Sequence, residues 1–230
     1  MSSLAASTSA LLRNWKSLQP TAPSEWSLSG LAGRLVELSG SENSSALTAA
    51  FGLVRQAQLL GEPVAWITPH TESFFPPDVA NGGVDLTALA VVRIFSAQRL
   101  TPLEPRSRTR DSRTGGPRAY ERAMARAADQ LVRSGGFGLL VLDLGSLQIA
   151  MGMLSRLLGL AQKHNTALLF LTDKPDRAPS LGSLVSLRAQ AVRRRTGPDE
   201  FTCELQVLKD KRRAPGWSHK EVCGGPAGLH

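Results

Sequence analysis

The chain has little cysteine: Cys203 and Cys223 are the only two in 230 residues. They form no C-x-x-C pair and stand at no metal-ligand spacing with the four histidines, which excludes the familiar zinc-binding patterns. No metal or other cofactor is expected, and reduced thiols in a cytoplasmic protein are the default expectation. Long hydrophobic runs are also missing. None approaches the roughly 18–20 residues of a membrane span, and the stretch from Gly138 to Leu142 is far too short. The first residues lack a basic start followed by a continuous apolar stretch, so no secretory signal is expected. Acidic charge is in deficit. The 27 basic residues against 19 acidic ones leave +8, and arginine supplies 21 of the 27. Such a balance admits a nucleic acid or an acidic protein as partner; an arginine excess equally fits genome composition.

A further absence is local. Residues 33–48 run from an apolar strand, Leu35-Val36-Glu37-Leu38, into a helical segment through a turn shaped like a phosphate loop. A working loop ends in Gly-Lys-Ser/Thr, whose lysine reaches the β- and γ-phosphates and whose hydroxyl holds Mg²⁺. Here those positions are Ser45, Ala46 and Leu47. A helix start still offers N–H groups and the positive end of a dipole, but Ala46 cannot reach a phosphate and Leu47 cannot ligate a metal. Gly40, Ser45, Ala46 and Leu47 therefore read as a degenerate loop, and neither nucleotide binding nor a catalytic residue is expected.

What is present is enough for a full core: 42% of the 230 residues are apolar, and the length fits one domain with appendages or two small ones. Residues 2–18 place Leu4, Leu11, Trp15 and Leu18 at helical spacing, and Pro20 and Pro23 end the pattern. This predicts a helical arm and linker over 1–25, with Leu11, Trp15 and Leu18 as candidates for protein contact. From Gly33 onward short apolar runs alternate with helical stretches. Strands are expected at 35–38, 64–67, 89–95, 139–142 and 167–171, with helices at 45–60, 119–133 and 147–163. Leu139 to Leu142 is apolar without alternation, as in the buried centre of a parallel sheet. After Leu184 the pattern changes to strands at 184–195, 201–209 and 216–222, read as an antiparallel extension on one edge. The prediction is a doubly wound α/β core over 26–223 and a frayed tail over 224–230.

Several charged groups are candidates for function. Residues 104–118 hold no large apolar anchor and read as a basic mobile loop, in which Arg106, Arg108 and Arg110 are possible nucleic-acid contacts. Arg193, Arg194 and Arg195 end a strand, where a triplet can neutralise phosphates or simply be solvated. Lys209 and Lys211 sit at i, i+2 on an expected strand, so both side chains leave one face, toward a protein partner or toward water. His70 and Asp173 are expected at carboxyl ends of core strands, where α/β domains bind ligands, yet no nucleophile or orienting partner accompanies them.

The order of these segments resembles the RecA recombinase core. Gly33-Arg34-Leu35-Val36-Glu37-Leu38 opens it, followed by Gly40-Ser41-Glu42-Asn43-Ser44 in the phosphate-loop place. Leu139-Leu140-Val141-Leu142-Asp143 is similar to the Walker B strand with its terminal acid, Asn165 to Thr172 to the next core strand, and Leu208 to Pro215 to the late Lys-x-Lys…Ala-Pro strand. The resemblance covers about residues 30–222. It implies a RecA-like sheet, with Asp143 a relic of the magnesium site. The departures carry as much information. Thr68-Pro69-His70 stands where that family has its catalytic glutamate, Asp173 where it has a phosphate-sensing glutamine, and both DNA-gripping loops are short. Among RecA-like chains this one looks most like the ImuA family, which implies a cytoplasmic, non-enzymatic adaptor of the bacterial SOS DNA-damage response. RecA and ImuB would be its partners in error-prone translesion synthesis. The other expectations are a SulA-type division inhibitor that binds FtsZ, an ATP-dependent recombination mediator, and a direct, weak DNA binder.

Overall fold

The computed structural model describes residues 26–41, 44–70, 73–95, 116–197 and 200–224. The expected arm over 1–25, residues 104–115 of the expected basic loop, with Arg106, Arg108 and Arg110, and most of the tail lie outside them; the last residues of that loop, Pro117 and Arg118, are helical instead.

The unbroken apolar runs become the buried strands. β1 (Leu35–Gly40), β2 (Val64–Thr68), β3 (Leu89–Arg93), β4 (Leu139–Gly145), β5 (Ala167–Asp173), β6 (Leu187–Arg195), β7 (Glu200–Asp210) and β8 (Ser218–Gly224) form one sheet in the order β3-β2-β4-β5-β1-β6-β7-β8. The first six in that order are parallel; β7 pairs antiparallel with β6, and β8 antiparallel with β7. The chain is thus α/β with a mostly parallel sheet and an antiparallel extension, as its pattern predicts.

Helices cover both faces. α1 (Leu28–Leu31) and α2 (Ala46–Leu59) share a core with Val36, Leu38, Val64 and Trp66. Phe51 stacks on Trp66 with ring centroids 4.7 Å apart, and Phe74 meets both rings edge-on. On the other face α4 (Pro117–Ser134) and α5 (Met151–His164) bury Met124, Ala128, Val132, Leu154 and Leu157 against Leu35, Ile67, Leu140 and Phe170. α4 ends at Gly135 (φ +70), where any Cβ would crowd the His164 ring at 2.7 Å, so glycine is required by both backbone and space.

Several boundaries depart from expectation: β3 ends at Arg93 rather than 95 and β6 begins at Leu187 rather than 184, and three further departures have identifiable causes. α3 (Pro76–Asn81) forms in the stretch before β3, for which no helix is expected, because the first helical turn has no use for the N–H groups proline lacks. α5 starts at Met151 rather than Leu147, since the preceding turn is held otherwise: Leu147 N–H donates to Leu144 O and Gln148 N–H to Glu121 Oε1. β7 ends at Asp210, so Lys211 is not on a strand at all. Asp210 closes that end by pairing with Arg34 at 2.6 Å, both side chains almost fully buried, and it also accepts from the Trp217 indole. Lys211 follows in a turn, its N–H bonded to Ser186 O.

Candidate functional site

The parallel strands β2, β4, β5, β1 and β6 end side by side, so the Gly40 turn, His70, Asp143 and Asp173 share one rim of the sheet. That is where open α/β sheets place ligands.

The degenerate turn closes on itself. A Cβ on Gly40 would collide with the Ser44 hydroxyl, which also accepts from the Ala46 N–H at 3.3 Å. One of the N–H groups that an anion would need at the start of α2 is thereby occupied by the turn's own serine. Ser45, standing where a phosphate loop has its second glycine, does not cap the helix. Its buried hydroxyl donates to Val192 O at 3.0 Å, tying α2 to β6. Ala46 packs against the core and Leu47 is 40% exposed.

Beside the turn lies an acid–imidazole cluster. Asp143 accepts from the Thr68 hydroxyl at 3.2 Å, and the Thr68 and Ser73 hydroxyls are 2.6 Å apart. A bulge at the end of β4 puts Gly145 at φ +55, and a Cβ there would lie 3.3 Å from both His70 Nε2 and Asp173 Oδ2, so those two side chains converge above it. Burial pushes the Asp143 carboxyl above its ordinary value, and the neighbouring Asp173 adds to the rise against the bonds from Ser73 and Thr68 and the field of His70. Among the described residues no three His, Cys, Asp or Glu side chains are grouped to hold a metal ion. A cleft of about 800 Å³, lined by Thr68, His70, Phe74, Leu89, Val91 and Arg93, opens from this cluster toward the edge strand β3.

On the other side of the turn the sequence reading missed a buried polar network. Glu37, fully buried in the middle of β1, takes an ion pair from Lys174 at 2.7 Å, hydroxyls of Thr172 (3.1 Å) and Ser180 (2.8 Å), and the N–H of Leu181 (2.8 Å). Burial alone would raise its pKa; the bonds from Lys174, Leu181 and Ser180 together outweigh it and hold the carboxyl below its usual value. Arg188, next to it on β6, donates to Ala178 O and Pro175 O. Residues 174–186 are thus strapped onto the sheet. The available signal was a lone charge inside an otherwise apolar strand, which a doubly covered sheet tolerates only when paired.

The basic candidates separate. Lys209 does not join Lys211 on an open face: it is half-buried on β7, its Nζ 3.4 Å from Gly182 O, while Lys211 is exposed beyond the strand. Burial and the neighbouring Lys211 and Arg188 charges lower the Lys209 pKa against the pull of Glu37. Arg193 lies over the Phe201 ring at 3.6 Å, Arg194 pairs with Glu204 at 3.3 Å, and Arg195 donates to Gly197 O at 3.0 Å. The three arginines thus each have a contact within the sheet extension. Among the described residues no helix is long and apolar enough to cross a membrane. Leu11, Trp15 and Leu18 are outside the described residues, as are Arg106, Arg108 and Arg110. Set against known proteins, the chain matches no family model and no curated sequence.

Proposed function

We propose that this chain is a non-catalytic, RecA-like adaptor of the bacterial SOS response that binds RecA and ImuB and so supports error-prone translesion synthesis. The observation that carries the reading is the turn between β1 and α2. It keeps the strand–turn–helix form of a phosphate loop while Ser44 and Ser45 spend their hydroxyls on its own backbone and on β6, and Ala46 and Leu47 offer neither charge nor hydroxyl. The segments that resemble the RecA core fall in order on β1, β4, β5 and the end of β7 of a single sheet. Asp143, the relic of a magnesium site in this reading, is engaged with Thr68 and Ser73.

A fold that has lost lysine, metal-holding hydroxyl and glutamate together supplies no transition-state charge stabilisation, for which one donor alone is typically worth about 10²–10³ in rate. It retains the shape of a subunit. RecA-like subunits associate head to tail through complementary faces, and a paralogue with part of that face can occupy a filament end or side without extending it. The arm with Leu11, Trp15 and Leu18 is the docking element in this reading, and Lys211 is the accessible member of the late basic pair.

The test is capture of purified RecA, ImuB and FtsZ by the immobilised full chain and by a chain lacking residues 1–25. RecA and ImuB are expected to be retained by the full chain and weakened by the truncation. Capture of FtsZ without RecA or ImuB would replace the reading with that of a division inhibitor. Saturable Mg-ATP binding in equilibrium titration would overturn its non-catalytic part.

A further inference from the structure

α4 presents two different faces. Met124, Ala125, Ala128 and Val132 are buried against the sheet, and Arg118, Arg122 and Arg126 recur every fourth residue on the exposed side. Four residues advance a helix by about 6 Å, so the three arginines are evenly spaced along the exposed side of the helix.

The row is uncompensated. Glu121, one of the two acids on α4, accepts the N–H of Gln148, and Asp129 is shared between Arg133 and Arg156 of α5. Among the described residues, no ion pair engages Arg118, Arg122 or Arg126. Like charges at i, i+4 cost an isolated helix about 0.2–0.5 kcal/mol per pair. Arg118–Arg122 and Arg122–Arg126 are two such pairs that the fold itself does not use. Four other arginines are engaged within the protein: Arg34 and Arg188 inside it, Arg193 and Arg194 within the sheet extension.

We propose that this face of α4 binds the phosphodiester backbone of a nucleic acid, without reading its sequence. A row of arginines matches a chain of regularly repeated phosphates. An acidic protein surface fits less well, because protein interfaces are built around an apolar centre, and none of the exposed large hydrophobic side chains lies on α4. The proposal stands apart from the adaptor reading: RecA or ImuB capture neither supports nor harms it.

The experiment is fluorescence anisotropy of the full chain with a labelled oligothymidylate of about 20 nucleotides and a duplex of the same length, from about 50 to 200 mM salt. Binding to either is expected to weaken steeply with salt; a preference identifies single-stranded or duplex backbone as the source. R118Q/R122Q/R126Q should reduce affinity at least tenfold at low salt and flatten the single-strand salt slope by about 2, three contacts at about 0.7 each. R118K/R122K/R126K, which keeps the charges, should keep most of the slope. Far-ultraviolet circular dichroism and thermal melting establish that all variants are folded. The proposal is overturned if the wild type shows no binding at the lowest salt, if R118Q/R122Q/R126Q leaves the slope unchanged, or if the loss follows R193Q/R194Q/R195Q instead. Polyglutamate competing as well as the oligonucleotide at equal charge would overturn it in favour of an acidic protein.

Discussion

Val36, Leu38, Leu187 and Ala189 turn from β1 and β6 toward the core that α2 covers, whereas Glu37, Ser39, Arg188 and Gln190, the residues between them, turn toward segment 174–186. Two strands thus carry oil on one face and paired charge on the other. The difference follows from what covers each face. A helix satisfies its own backbone and needs only an apolar stripe beneath it. An irregular segment brings unpaired carbonyl and N–H groups that must find partners when buried. Glu37 receives the Leu181 N–H, and Arg188 gives to the carbonyls of Pro175 and Ala178. The charges are therefore the means by which a loop is made to lie on a sheet.

The comparison breaks most severely at Lys174. Lys174→Met leaves Glu37 with its hydrogen bonds but without its ion-pair partner in a fully buried position, with only the more distant field of Lys209 remaining, and removal of one partner of a buried pair is worth about 4 kcal/mol. The midpoint of urea unfolding should fall accordingly at neutral pH. Glu37→Met/Lys174→Met should recover only part of the loss. The Leu181 N–H and the Ser180 and Thr172 hydroxyls would then lack their acceptor, at about 1–3 kcal/mol for each group that finds no substitute. Full recovery in the double variant would mean that the segment does not depend on Glu37 to satisfy its polar groups.

On the opposite face Leu38→Ala removes only apolar volume, and about 3 kcal/mol is expected for a fully buried leucine. The pH response separates the two faces. Glu37 has a lowered pKa in the folded chain, so its contribution is complete above the unfolded value near 4.5 and is lost as pH falls through the folded value. Wild type and Leu38→Ala should therefore lose stability in parallel on acidification below about pH 4.5. Lys174→Met has already lost the pairing that lowers this pKa, and it should lose less over the same range. Parallel acid curves for all three proteins would show that Glu37 is not held ionised by Lys174.

The apolar face was legible in the sequence and the charged one was not, for a physical reason. Runs such as Leu139 to Leu142 and Ala167 to Leu171 announce buried parallel strands by composition alone. Glu37 sits inside such a run, but its partner Lys174 is more than 130 residues away, and only the adjacency of β1 and β5 brings them together. The rim of the sheet divides in the same way. The loss of lysine and hydroxyl at Ala46 and Leu47 could be read locally, whereas the meeting of Asp143 with Ser73, and of His70 with Asp173 over Gly145, depends on strand order and a bulge. Strand periodicity puts Lys209 and Lys211 on one face, and it fails where Asp210 turns inward to Arg34 and ends β7.

The smallest effect is expected where the same chemistry is performed in water. Arg194 and Glu204 form an ion pair of 3.3 Å on β6 and β7, but the arginine is 62% exposed and Lys220 also reaches Glu204, at 3.4 Å. Exposed pairs contribute about 0–1 kcal/mol and are screened by salt, and the second cation remains after one is removed. Arg194→Gln should therefore shift stability by no more than about 0.5 kcal/mol, and the shift should vanish in molar salt. Lys174→Met should keep most of its much larger loss under the same conditions, since ions do not enter between Lys174 and Glu37. If added salt erased both differences equally, the Glu37 pair would be open to solvent, and the contrast between the two faces of β1 would be one of sequence without being one of environment.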